Sequence, residues 1–140
     1  MPVVDSSVMV AAVKRNEASH LASRVWLSAM RDRGQVITAP VLLLPEVGGA
    51  VARATGRRQA ARRLTDGLRT SAAVEILPIT GVLADRAAAI AIDHGIRGSD
   101  AIFVALAEAR GEALITLDRE QLDRGRAVVA VYRPEEAPIG

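Results

Sequence analysis

The sequence contains no cysteine. Disulfides, thiolate zinc sites and cysteine nucleophiles are therefore excluded, and a reducing compartment fits. Aromatic residues are nearly absent: Trp26, Phe103 and Tyr132 are the only three. A chain of 140 residues that is 50% hydrophobic must then build its core from Ala, Val, Leu and Ile. Lysine is reduced to Lys14 and asparagine to Asn16. The two histidines, His20 and His94, stand far from any acidic motif and read as surface or cap residues. Ser6 and Ser7 have no histidine base nearby, so a serine-hydrolase triad is unsupported. No apolar run approaches the ~20 residues of a membrane span. The start, Met1-Pro2-Val3-Val4-Asp5, has neither the basic nor the apolar region of a signal peptide. A soluble, cytoplasmic protein is the expectation. The formal charge of +2 rests almost wholly on arginine, and it is too small to imply nucleic-acid binding by itself.

What is present is an alternation of short apolar strands with helices. Val3-Val4 reads as a strand that stops on Asp5, followed by a short helix over 7–13. A longer helix covers 17–33, through Leu21, Val25, Leu27 and Met30, with Gly34 as its stop. A strand at 35–38 precedes a third helix after Pro40. Its run Val41-Leu42-Leu43-Leu44 should be buried, with a kink or restart at Pro45. Gly48-Gly49 suggests close approach of another backbone. An arginine-studded helix spans 57–71 and a strand 74–79. An Ala-rich helix over 81–94 closes on Gly95. The helix over 99–110 has Ser99 as expected N-cap and Gly111 as expected C-cap. A strand at 113–117 ends on Asp118, with a helical turn at 119–122 and a strand at 128–131. The tail, about 133–140, should be irregular. The pattern predicts a single α/β domain over 1–140. It should hold a central parallel sheet of four or five strands with helices on both faces.

Four carboxylates stand in comparable places. Asp5 and Asp118 end strands, Glu46 lies in the apolar third helix, and Asp100 opens an apolar helix. An ionised group among apolar neighbours is costly unless it is paired. Each acid has an ordinary explanation. Asp5 and Asp118 can cap the helices that follow them, Asp100 can meet a helix dipole, and Glu46 can pair with Arg53. Convergence of all four at one sheet edge would instead raise their pKa values by mutual repulsion, a conflict that a divalent cation removes. Oxygen donors without His or Cys favour Mg²⁺ or Mn²⁺. Such clusters perform metal-assisted phosphodiester hydrolysis. A phospho-acceptor receiver domain would want a lysine on a late strand, and Lys14 is in the wrong part of the chain.

Four segments carry a resemblance: Val3-Val4-Asp5-Ser6-Ser7-Val8, Leu44-Pro45-Glu46-Val47, Ser99-Asp100-Ala101-Ile102-Phe103-Val104-Ala105-Leu106-Ala107 and Ile115-Thr116-Leu117-Asp118. In order and spacing they resemble the signature segments of PIN-domain nucleases. In length the chain looks most like the stand-alone VapC-type toxins of bacterial type II toxin–antitoxin systems. The resemblance covers nearly the whole chain. It implies that Asp5, Glu46, Asp100 and Asp118 form the catalytic, metal-binding site, with Thr116 and Ser7 in support. It also implies Mg²⁺- or Mn²⁺-dependent endoribonuclease activity, a homodimer, and inhibition by a cognate VapB-like antitoxin. One departure is Gly49, where family members often carry Asn. The alternative is a catalytically silent module of the same fold that binds RNA or protein. Arg53, Arg57, Arg58 and Arg62 offer a phosphate-tracking edge or simply a solvated helix face. Asp123 is an outer-shell candidate or a surface residue.

Overall fold

Strands and helices alternate through residues 1–139, which this computed structural model describes. The strands are β1 (Val3–Val4), β2 (Ile37–Pro40), β3 (Val74–Leu77), β4 (Leu114–Ile115) and β5 (Val131–Tyr132). They form one sheet in the order β3-β2-β1-β4-β5, with every pair parallel. The helices are α1 (Ser6–Val13), α2 (His20–Asp32), α3 (Leu43–Thr55), α4 (Arg58–Thr70), α5 (Gly81–His94), α6 (Gly98–Arg110) and α7 (Arg119–Arg124). Consecutive strand residues point to opposite faces, and Val3 and Val4 are both fully buried. Both faces of the central strand are therefore covered, as a parallel sheet requires. The core is aliphatic apart from Trp26 and Phe103, both deeply buried.

The strand order sets the position of the site. From β1 the chain moves outward through β2 and β3, then returns to the other side of β1 as β4. The direction of winding thus reverses between β1 and β4. In open α/β sheets the crevice beyond the carboxyl ends of such strands is the natural ligand position. Asp5 follows β1 and Thr116 follows β4 directly. The sheet ladder reaches this edge, since Asp5 N–H donates to Ile115 O at 2.9 Å and Thr116 N–H to Tyr132 O at 3.0 Å.

Several boundaries differ from the sequence expectation, each for a local reason. Pro40 ends β2 rather than opening a helix, because Val41 N–H still donates to Leu77 O at 2.8 Å. α3 then begins at Leu43, which puts Pro45 in its first turn. A missing N–H is tolerated there, so α3 runs unbroken to Thr55. α6 starts at Gly98, and Ser99 is inside it rather than its cap. Gly111, with φ of 64°, closes α6 as expected. The strand expected at 128–131 is displaced to Val131–Tyr132, because a 3-10 turn at Gly125–Ala127 extends the turn after α7. The tail is not irregular throughout. Pro134–Glu136 form a 3-10 turn with Pro134 buried, and the Arg33 side chain donates to Ile139 O at 3.3 Å.

Among the described residues no other backbone comes close at Gly48-Gly49, contrary to expectation; the close neighbour is the Thr65 side chain, beside Gly48 where α3 packs on α4. A Cβ added to Gly48 would lie 2.9 Å from Thr65 Cγ2. Two effects then oppose each other. Ala is favoured over Gly in a helix by about 1 kcal/mol, while overpacking costs about 1–3 kcal/mol. Gly48→Ala should lower stability by about 1 kcal/mol in the wild-type background, where the clash wins. With Thr65→Ser, which deletes the clashing methyl group, the same change should become neutral or stabilising. Chemical denaturation of the two single variants and the double variant measures this; additive effects would refute the contact.

Candidate active site

Asp5 is the buried centre of the edge. Its backbone caps α1, and its side chain accepts from Ser7 N–H at 3.2 Å. The same Oδ2 accepts from the Ser7 hydroxyl at 2.6 Å and lies 3.1 Å from the Thr116 hydroxyl. Ser7 in turn accepts from Leu117 N–H at 3.0 Å. A clip of hydroxyls therefore ties α1 to the end of β4. Burial pushes the Asp5 carboxyl above the usual aspartate range. The hydrogen bonds from Ser7 and Thr116 work against this, and the nearby Asp118 charge adds to it.

Thr116 links Asp5 to Gln121, a residue that no sequence motif marks. The Thr116 hydroxyl donates to Gln121 Oε1 at 2.6 Å and accepts from Asp118 N–H at 3.0 Å. One hydroxyl has one proton, so Gln121 and Asp5 compete for it. Gln121 is fully buried on α7, and its Nε2 donates to Asp100 O at 3.2 Å. The same nitrogen reaches Asp5 Oδ1 at 3.5 Å. A buried glutamine with every polar atom engaged thus ties Asp5, Thr116 and the backbone of Asp100 together. In the sequence it looks like one more polar residue on a short helix.

Asp118 caps α7. Its Oδ1 accepts from Glu120 N–H at 2.7 Å and Gln121 N–H at 3.2 Å. Asp100, at the third position of α6, is 8% exposed. Burial raises its pKa to about 6, with the charges of Asp118 and Asp5 adding to the rise and Arg97 opposing it. Glu46, from α3, accepts the Ser6 hydroxyl on Oε1 at 2.8 Å. It too is raised, by burial first and by the Asp5 charge as well. The pairing of Glu46 with Arg53 is not made; Ser6 takes that place.

All four expected acids line one groove, with a volume of about 380 Å³, together with Ser6, Ser7, Arg53, Arg97 and Ser99. The tightest group of carboxylates is not the expected four, however. Oxygens of Asp100, Asp118 and Glu120 all lie within 4.8 Å of one another. Glu120, a half-buried residue of α7, was missed because an acid in a first helical turn has an ordinary dipole explanation. Arg97 was missed as well. It donates to Asp100 Oδ2 at 2.9 Å and Asp118 Oδ2 at 2.8 Å, and approaches Glu120 Oε2 at 3.6 Å. Of the four arginines expected along a phosphate path, Arg53 lines the groove, while Arg57, Arg58 and Arg62 are exposed outside it. Asp123 is exposed. A separate, mainly apolar pocket between α1, α2, β2 and β3 holds none of these groups. Cap and cluster readings therefore coexist. Asp5 and Asp118 cap helices and still present carboxylates to a common groove of raised pKa values, which is a recognised mark of functional sites.

The family described as PIN domain matches residues 3–127. Among curated proteins, no sequence matches significantly. Among solved structures, the chain superposes on a Mycobacterium tuberculosis toxin, VapC20, described as cleaving the sarcin-ricin loop, with a TM-score of 0.78 and 20% identity. That superposition covers 99% of this chain and 100% of the other. FitAcB from Neisseria gonorrhoeae gives 0.71 at 21% identity, covering 98% and 100%. A toxin–antitoxin complex from Klebsiella pneumoniae gives 0.69 at 17%, again covering 98% and 100%. At these identities the superpositions establish the fold.

The raised pKa of Asp100 has a consequence for stability. An acid whose folded pKa lies above its unfolded value, near 3.8, binds protons more tightly in the native state. Its ionisation therefore costs the fold stability as the pH rises from about 4 to about 6. Asp100→Asn abolishes that dependence. In chelator, the variant should melt above the wild type at pH 7.5, and the gap should close as the pH falls to about 4. A variant that melts well below the wild type at neutral pH would show instead that Asp100 acts mainly as a helix-terminal charge paired with Arg97.

Proposed function

The chain belongs to the PIN-domain family, and from that premise we propose that it is a divalent-metal-dependent endoribonuclease, the toxin of a toxin–antitoxin pair. The observation that carries this reading is the groove itself: Asp5, Glu46, Asp100 and Asp118 meet at the switch point of the sheet, and three of them have raised pKa values. The donor set fits a hard cation. It is all oxygen, it crowds several carboxylates together, and it is bordered by hydroxyls rather than by thiol or imidazole. Asp5, Asp100 and Asp118 would hold Mg²⁺ or Mn²⁺, with Glu46 or Glu120 completing the set. When bound, such an ion makes a water more acidic and stabilises charge on the phosphoryl oxygens.

The protein's own groups have separate tasks. Ser7 and Thr116 fix the Asp5 carboxylate, so that its orientation does not depend on a ligand. Backbone N–H groups of α7 hold one oxygen of Asp118 and leave the other facing the groove. Ser6 engages one oxygen of Glu46, which leaves the second to accept a proton from an attacking water. A glutamate raised by burial is better suited to that task than an exposed one. Water oxygen attacks phosphorus, the bond to the leaving oxygen breaks, and that oxygen takes a proton from solvent. Arg53, at the groove wall, supplies a positive contact for the phosphate backbone. The presence of a toxin and a toxin–antitoxin complex among the structural neighbours supports a VapB-like antitoxin as partner, while a homodimer as the working form rests on the family resemblance alone. Among the described residues no helix is long and apolar enough to cross a membrane.

Incubation of the purified, partner-free protein with total cellular RNA tests the proposal. Cleavage should require Mg²⁺ or Mn²⁺ and stop in chelator. Asp5→Asn and Asp100→Asn should each reduce the rate at least about 100-fold, the scale of losing about 2.7 kcal/mol of transition-state stabilisation. Cleavage that persists in chelator or in both variants would reject the mechanism. The same protein folded, metal-binding and inert toward RNA would favour the silent module.

A further inference from the structure

We infer that Arg97 is the resident counter-ion of this site, a guanidinium that a divalent cation must displace, so that Arg97 sets the metal affinity of the acids. The inference rests on the metal-dependent reading above and deepens it. The three acids that Arg97 touches are the three whose oxygens gather most tightly: Asp100, Asp118 and Glu120. At Asp118 the competition is direct. Oδ1 is committed to the N–H groups of Glu120 and Gln121, so Oδ2 is its one remaining oxygen, and Arg97 Nη2 occupies it at 2.8 Å. Arg97 already uses one of that oxygen's two lone pairs, so an incoming cation must share the oxygen with a positive charge or drive the guanidinium off it. At Asp100 the oxygen facing Arg97 is likewise Oδ2, at 2.9 Å.

The position of Arg97 suits release. Its side chain is 68% exposed, and its hydrogen bonds are to these acids. It stands just before α6, between the buried Ile96 and Gly98. The backbone is thus anchored on one side while the long side chain reaches solvent freely. Exposed ion pairs are weak, so displacement is feasible, and a modest effect on affinity follows. Arg97 acts through the acids and is a positioning residue. Its planar fork bridges two carboxylates, which the point charge of a lysine does poorly.

Mn²⁺ titration of the RNA-free protein, read by the electron paramagnetic resonance of free Mn²⁺, tests this without turnover. Arg97→Gln should bind Mn²⁺ about fivefold more tightly than the wild type, and Arg97→Lys should fall between the two. Arg53→Gln is the control for net charge. It removes the same charge from the same groove but touches none of the three acids, and it should change affinity less than about twofold. Unchanged or weaker binding by Arg97→Gln would overturn the inference, because Arg97 would then only order the acids. An equal gain in Arg53→Gln would overturn it too, by reducing the effect to overall charge. If neither the wild type nor Arg97→Gln binds Mn²⁺, the metal site itself fails, which is a distinct result from competition failing.

Discussion

A carboxylate buried at the end of the central strand is the constraint on which the rest of this structure depends. Asp5 sits where β1 stops and α1 begins, nearly inaccessible to solvent. An ionised carboxylate in that place is costly unless donors surround it. Ser7 and Thr116 supply them, and each belongs to a different part of the chain. Satisfying Asp5 therefore requires β1 and β4 to be neighbours in the observed register, because Thr116 follows β4 directly. The polar requirement at the edge and the apolar requirement of the sheet select the same topology.

That economy explains why the capping and clustering interpretations of the acids do not exclude one another. A cap uses one or two lone pairs of a carboxylate, which has about four. Asp118 gives Oδ1 to the backbone and keeps Oδ2 for the groove. Asp5 is satisfied mainly through Oδ2, while Oδ1 faces Gln121 at the edge of hydrogen-bonding distance. Helix starts are well suited to such sites for this reason. Their free N–H groups fix the acid's orientation, and the remaining oxygens point outward. The fold thereby obtains rigidly held carboxylates from contacts it needs for its own stability.

Much of this was legible in the sequence, and the parts that were not share a cause. The order of strands and helices and the parallel sheet followed from apolar runs and their endings, while the four acids stood out by their apolar neighbours and were grouped by the family resemblance. α5 was placed to the residue, because Thr80 and Gly95 mark both its ends locally. Boundaries failed where a distant partner decides them. Pro40 belongs to β2 because β3 lies beside it, and β5 begins late because the 3-10 turn at Gly125–Ala127 extends the turn after α7. Arg97, Glu120 and Gln121 were invisible for the same reason. Arg97 and Asp118 are 21 positions apart, and no local pattern marks a pair at that separation. Gln121 matters because of its burial, which composition does not reveal. The four arginines offered a phosphate path or a solvated helix face; Arg57, Arg58 and Arg62 are exposed outside the groove, and only Arg53 lines it.

The strength of the counter-ion is the last constraint. Crowded acids at the end of a buried strand need positive charge whenever no ligand is present. A fully buried arginine would provide it most firmly, but removing it later would strand a charge in a low-dielectric interior at a cost of several kcal/mol. A site filled in that way could not be opened for a cation. An exposed arginine avoids the difficulty, because water replaces its carboxylate partners at little cost. Arg97 lies in that range, solvated along most of its side chain yet bonded to two of the groove acids. Burial holds the Asp100 pKa near 6, the Asp118 and Asp5 charges add to it, and Arg97 offsets only part of that rise. Incomplete compensation is what a cation site requires: enough positive charge to let the protein fold empty, and enough residual repulsion for a dication to be the better partner.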